Sequence, residues 1–123
     1  MILADTSVWI AYLRGVEPHL QELLDAGEVL MHVMVLGEIA CGGVRNRKNV
    51  MRDLIDLPAI ADCEHAEVLS MIEQKALMRR GIGFIDAHLL CSVLGCHGTA
   101  LWTRDTKLSR IADDLGVAYS ASS

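Results

Sequence analysis

The chain opens on Met1-Ile2-Leu3-Ala4, an unbroken apolar run, and Asp5 follows it directly. A strand with one wet face alternates polar and apolar side chains. A run without alternation belongs to a strand buried on both faces, as in parallel sheets covered by helices. A second such run, Ala100-Leu101-Trp102, comes late in the chain and is followed by Thr103, Arg104 and Asp105. Further short strands are expected at 28–32, 59–61 and 117–119.

Helical patterns lie between these runs. Val8, Ile10, Ala11, Tyr12 and Leu13 precede a stop at Gly15, and Pro18 suits the first turn of a second helix carrying Leu20, Leu23 and Leu24 to Gly27. Helices are also expected over 35–43, over 46–57 on Val50, Met51, Leu54 and Ile55, and over 106–115 on Leu108, Ile111, Ala112 and Leu115. Residues 66–80 are the clearest amphipathic stretch, through Leu69, Ile72, Ala76 and Leu77. Gly81-Ile82-Gly83 reads as a turn, and 86–94 is apolar nearly all round, hence a buried helix. Short strands alternating with helices predict an α/β fold, a three-layer α/β/α sandwich around a short, mostly parallel sheet. One domain over 1–119 with a frayed tail at 120–123 is expected.

Four acids stand in apolar surroundings. Asp5 and Asp105 follow strands, where ligands gather in open α/β sheets. Each is also a natural helix N-cap, a role open equally to Thr6, Ser7, Thr103 and Thr106. Asp86 shares its helix face with Leu89, Leu90 and Val93. Glu38 is flanked by Met34, Val35, Cys41 and Gly42, with no base within helical reach. An unpaired buried carboxylate costs several kcal/mol or takes up a proton. Four that converge require a divalent cation, and oxygen ligands alone suit Mg²⁺ or Mn²⁺ rather than zinc. Such ions support phosphoryl transfer by activating and aligning water. The remaining acids, Asp25, Asp53, Asp56, Asp62, Glu73, Asp113 and Asp114, read as solvated surface.

Composition narrows the partners. With 52% hydrophobic and 22% charged residues the chain is a packed domain, and 4% aromatic content argues against binding nucleic acid by ring stacking. Eleven Lys and Arg against 16 Asp and Glu give −5, so a polyanionic substrate needs bound cations and local basic patches. The candidate patches are Arg45, Arg47, Lys48 and Arg52; Arg79 and Arg80; and Arg104, Lys107 and Arg110, all equally readable as solvated helix faces. Cys41, Cys63, Cys91 and Cys96 form no C-x-x-C pair. Neither Cys63 with His65 nor Cys96 with His97 has a ligand spacing, so buried free thiols in a reducing cytoplasm are expected rather than structural zinc. No leader pattern is present and no apolar run approaches the ~20 residues of a membrane span.

The same residues carry a family resemblance. Met1-Ile2-Leu3-Ala4-Asp5-Thr6-Ser7-Val8-Trp9-Ile10 resembles the first strand and helix of PIN-domain proteins, VapC-type toxins in particular. Leu36-Gly37-Glu38-Ile39, Gly83-Phe84-Ile85-Asp86-Ala87-His88-Leu89-Leu90 and Trp102-Thr103-Arg104-Asp105 are similar to the family's second, third and fourth acidic positions. The resemblance implies a Mg²⁺- or Mn²⁺-dependent endoribonuclease, cytoplasmic, dimeric or assembled with a VapB-type antitoxin. It implies Asp5, Glu38, Asp86 and Asp105 as the catalytic acids, and Asp5, Asp86 and Asp105 as metal ligands. Ser7 and Thr103 are implied as supporting hydrogen-bonding groups. One mild departure is that some relatives carry a further acid near the fourth position, where Asp105 here stands alone before Thr106.

Two other readings remain open on the residues alone. One is a non-catalytic module whose acids hold a cation structurally while it binds RNA or protein. The other is a phosphoacceptor or phosphatase, which usually needs a second acid beside the first or a lysine after a late strand. Apolar residues on the first helices (Trp9, Tyr12, Leu13, Leu20, Leu24, Val50, Leu54) suit either a core or a partner interface.

Overall fold

The computed structural model describes residues 1–120 as seven helices and three strands. In chain order these are β1 (Ile2–Ala4), α1 (Thr6–Leu13), α2 (His19–Asp25), β2 (Val29–Leu30), α3 (Val33–Cys41), α4 (Arg47–Ile55), α5 (His65–Gln74), α6 (Phe84–Leu94), β3 (Ala100–Trp102) and α7 (Thr106–Asp114). The strands form a parallel sheet in the order β2-β1-β3, with Ile2 opposite both Val29 and Ala100. All three residues of β1 are buried, so the central strand is covered on both faces.

The two further expected strands shrink to single bridges at the sheet edges. Met31 pairs with Ala59 through hydrogen bonds from its N–H to Pro58 and from Ile60 N–H to its carbonyl. Leu101 pairs with Ala118 in the same way, through Val117 and Tyr119. Pro58 has no N–H to offer, which limits the first of these to its minimum. Residues 121–123 of the expected tail lie outside the described residues.

The amphipathic stretch expected over 66–80 ends early, at Gln74. Ala76 takes a left-handed φ of 53°, and the N–H of Leu77 reaches back to Ile72, closing the helix as a Schellman turn does. Apolar spacing continues past the break because Leu77 is still 4% exposed and packs in the core from the loop. Gly81 (φ +85°) is favoured by its backbone, because an L-residue resists that φ; the flexible end of Lys107 passes 2.7 Å from where a Cβ would stand.

The core is aliphatic, from Leu3, Val8, Val35, Ile39, Val68, Leu90, Leu101, Leu108 and Ile111, with Trp9 and Trp102 at its edges. The helix α6 packs on α5, α3 and β3, and α1 on α2 and α3. Leu90 is fully buried at the middle of α6. Leu90→Ala is expected to lower unfolding free energy by about 2–5 kcal/mol in urea titrations.

Candidate active site

Asp5 leaves the C-terminal end of β1 and caps α1, accepting the Val8 N–H at 3.1 Å. It is buried at 5% exposure, and two hydroxyls also serve it: Ser7 Oγ on Oδ1 at 2.5 Å and Thr103 Oγ1 on Oδ2. Those hydroxyls are themselves held. Arg104 N–H donates to Ser7 Oγ at 2.9 Å, and Asp105 N–H donates to Thr103 Oγ1 at 3.0 Å. The loops after β1 and β3 are therefore stitched together through Asp5.

Asp105 caps α7, with Oδ1 accepting from the N–H groups of Lys107 (2.8 Å) and Leu108 (3.1 Å). Asp86 lies within the first turn of α6, which starts two residues earlier than expected, and accepts the Gly83 N–H at 3.3 Å. Glu38, expected to be crowded by apolar neighbours, is instead exposed, and one oxygen accepts the Thr6 hydroxyl at 2.5 Å. Its helix buries Val35 and Ile39 and turns Glu38 outward. Thr6 escaped the sequence reading, although a hydroxyl beside a strand-end acid was the available signal.

The electrostatics bring the four acids together. Burial pushes the Asp86 carboxyl above the ordinary carboxylate range, and the negative charges of Asp5, Asp105 and Glu38 push it further against the opposing Gly83 N–H. Burial likewise raises Asp5 against the donors Ser7, Thr103 and Val8. Among the described residues no Lys or Arg forms an ion pair with any of the four. Their oxygens are not drawn into a tight cluster: among the described residues, the triad of ligand atoms mutually within 4.8 Å is elsewhere, at Cys63, Glu67 and Cys91. The donor set is all oxygen, mutually repelling and partly desolvated. That fits a hard divalent cation.

A pattern of this order, strand-end acids on a parallel sheet with a third on a buried helix, has known counterparts. The PIN domain family pattern matches residues 2–114. The chain belongs to the PIN domain family. It is 42% identical over 120 residues to Ribonuclease VapC32 of Mycobacterium tuberculosis, in both strain CDC 1551 / Oshkosh and strain H37Rv. Those alignments cover 98% of this chain and 97% of the relative. They place it with the VapC-type members of the family. The crystal structure of PAE2754 from Pyrobaculum aerophilum superposes with a TM-score of 0.56 over 89% of this chain and 84% of that one. At 19% identity this is a likeness of fold.

A second polar cluster in this PIN domain was not foreseen. Asp62, expected on the solvated surface, accepts from His88 Nδ1 at 2.9 Å, and His32 Nε2 stands 3.1 Å from the same oxygen. His65 Nδ1 meets His88 Nε2 at 2.9 Å, and His32 Nε2 also reaches Ser92 Oγ at 3.0 Å. His32 and His88 are fully buried. Burial tends to raise Asp62, but the His88 hydrogen bond and the attraction of His32 and His88 outweigh it and leave its carboxyl lowered. Histidines within apolar runs were the signal that some nearby acid had to serve them.

The raised acids carry a stability cost with a definite sign. A carboxyl with a raised folded-state pKa binds protons that the unfolded chain has already released. It therefore destabilises increasingly as pH rises from 3.8 through the raised value. Asp86→Asn is expected to raise the melting temperature in EDTA at neutral pH by about 2–4 °C. The gain should shrink as pH falls toward 3.8.

Proposed function

We propose that this chain is a metal-dependent endoribonuclease, the toxin of a VapBC-type module, using Mg²⁺ or Mn²⁺. The observation that carries this is Asp86, a half-buried carboxyl at the head of α6 that feels three further acids arriving from β1, α3 and β3. The ribonuclease name of the M. tuberculosis relatives supports the same reading.

Asp5, Asp86 and Asp105 would hold the cation, with Ser7 and Thr103 fixing both oxygens of Asp5. A bound divalent ion supplies a lowered water pKa and neutralises charge on the transferring phosphoryl group. Glu38, exposed beside Thr6, is the acid with room to accept a hydrogen bond from the attacking water and so align it. Water oxygen then bonds to phosphorus, the phosphodiester P–O bond breaks, and the leaving oxygen takes a proton. Asp5, Asp86 and Asp105 each accept backbone amides at a helix head, whereas Glu38 accepts only the Thr6 hydroxyl.

Substrate phosphates need cations, because the chain carries −5 overall. Arg80 is paired with Asp114 at 2.8 Å, and Arg104 stands 3.5 Å from Glu17. Lys107, whose stem crosses Gly81 between the loops that carry Asp86 and Asp105, is free of such a pair among the described residues and flanks the acids. It is the residue best placed to meet the RNA backbone. A VapB-type antitoxin is the proposed protein partner, with a dimer or toxin–antitoxin hetero-oligomer as the assembly. The apolar helix residues noted in the sequence divide between the two roles considered. Trp9, Leu20 and Leu54 are buried, whereas Tyr12, Leu13, Leu24 and Val50 are half-buried along a groove of about 320 Å³ that suits an apolar helix. No helix of the described residues is long and apolar enough to cross a membrane.

The test is cleavage of labelled RNA by purified protein with Mg²⁺ or Mn²⁺. Asp5→Ala is expected to abolish cleavage and growth inhibition while the protein stays folded. Thr103→Val, which releases one oxygen of Asp5 and the N–H of Asp105, should cost about 10–100-fold. RNA binding without product at saturating metal would replace the nuclease by a non-catalytic binding module.

A further inference from the structure

Away from the four acids, α5 and α6 bring together residues that sequence spacing kept apart. Cys63 immediately precedes Glu64, the N-cap of α5, Glu67 lies in its first turn, and Cys91 faces them from α6. One ligand atom from each lies within 4.8 Å of the other two. Cys63 and Cys91 are half-buried and free, Glu67 is exposed, and the three lie together beside a cleft that also reaches Lys75 and Gly95. We propose that Cys63, Cys91 and Glu67 form a second metal site, selective for a thiophilic divalent cation such as Zn²⁺ and distinct from the oxygen-lined acids.

The geometry is close to what that ion takes. Zn–S bonds of about 2.3 Å and Zn–O bonds of about 2.0–2.2 Å put the ligands of a tetrahedron roughly 3.5–3.8 Å apart. The present spacing, within 4.8 Å, exceeds that by about 1 Å at most. The solvent side of Glu67 leaves a fourth position for water. The pairing also differs from either one weighed in the sequence. The ring Nδ1 of His65 is turned to His88, and Cys96 Sγ accepts the Thr99 hydroxyl at 3.3 Å.

Burial, the Cys63 thiol and the charges of Glu67 and Asp62 push the Cys91 thiol up to about 12, so it stays neutral until a cation displaces its proton. Binding converts both thiols to thiolates and releases two protons to the buffer, with no oxidant or reductant involved. The network beneath the site is already firm. Asp62, whose carboxylate takes the Cys63 N–H at 2.8 Å, is anchored on His88 and His32. Cys63 is therefore presented on a fixed backbone, and Cys91 on a helix whose next residue, Ser92, joins the same network.

Cobalt titration of the reduced full-length protein separates this site from the acids, because only thiolate ligands give an intense sulfur-to-cobalt absorption band. The band is expected on adding Co²⁺, to disappear on adding Zn²⁺, and to persist in Asp86→Asn. Cys63→Ser and Cys91→Ser should each remove most of it. The exposed Glu67→Gln, which leaves folding intact, should keep the band while weakening cobalt affinity by at least about 10-fold. No band at saturating Co²⁺, a band that survives the double serine variant, or one lost in Asp86→Asn would overturn the proposal.

Discussion

Like charges gathered at one end of a parallel sheet, with Asp5 and Asp86 partly desolvated, are the constraint on which this structure turns. Asp5 stays in place because its two oxygens take an amide and two hydroxyls, and those hydroxyls are braced by the amides of Arg104 and Asp105. The Asp5 N–H adds a bond to the Trp102 carbonyl at 2.9 Å, so side chain and backbone together tie the ends of β1 and β3. The donors partly offset desolvation without removing the charge, as Asp5 remains raised despite them. The fold therefore concentrates negative potential at the carboxyl ends of its strands and leaves it for a cation to neutralise. In such a site stability is given up for a ligand.

Helix N-termini contribute to the same end. Asp5, Asp86 and Asp105 each sit at the head of a helix and bond its first amides. Capping and metal binding, which compete as explanations when each residue is taken singly, are compatible here. A cap fixes one carboxylate oxygen toward the helix axis and leaves lone pairs on the outer side. Three helices converging by their positive ends on one region also soften the mutual repulsion of the acids they carry. Glu38 is the exception, since it lies well inside α3, is exposed, and has only the Thr6 hydroxyl.

Much of this was legible in the chain because it is local. Unbroken apolar runs announced β1 and β3 as doubly covered strands, and an acid near the end of each, Asp5 directly and Asp105 beyond Thr103 and Arg104, marked the candidate site. What escaped was long-range. Asp62 is exposed, as expected of a surface acid, yet it also serves His88 of α6 and His32 before α3, which lie far from it in sequence. Glu38 was expected to be hemmed in by apolar side chains, but α3 buries Val35 and Ile39 and faces Glu38 outward. The thiols were expected to be buried, yet Cys41 is exposed and the other three half-buried. Apolar periodicity overran the end of α5 for a related reason, since a loop residue such as Leu77 fills the core as well as a helical one.

The helix α6 shows why one element came to serve two kinds of chemistry. At 100° per residue, Asp86 and His88 point to nearly opposite sides and Cys91 to a third direction. A helix so used has no polar stripe left to face water, so it must be buried almost all round, as its apolar remainder is. Each of its polar residues then needs a partner supplied by the fold: Asp62 and His65 for His88, His32 for Ser92, and Gly83 with the convergent acids for Asp86. Cys91 lies within 4.8 Å of the Cys63 thiol and the Glu67 carboxylate, the atoms the proposed second metal site would use.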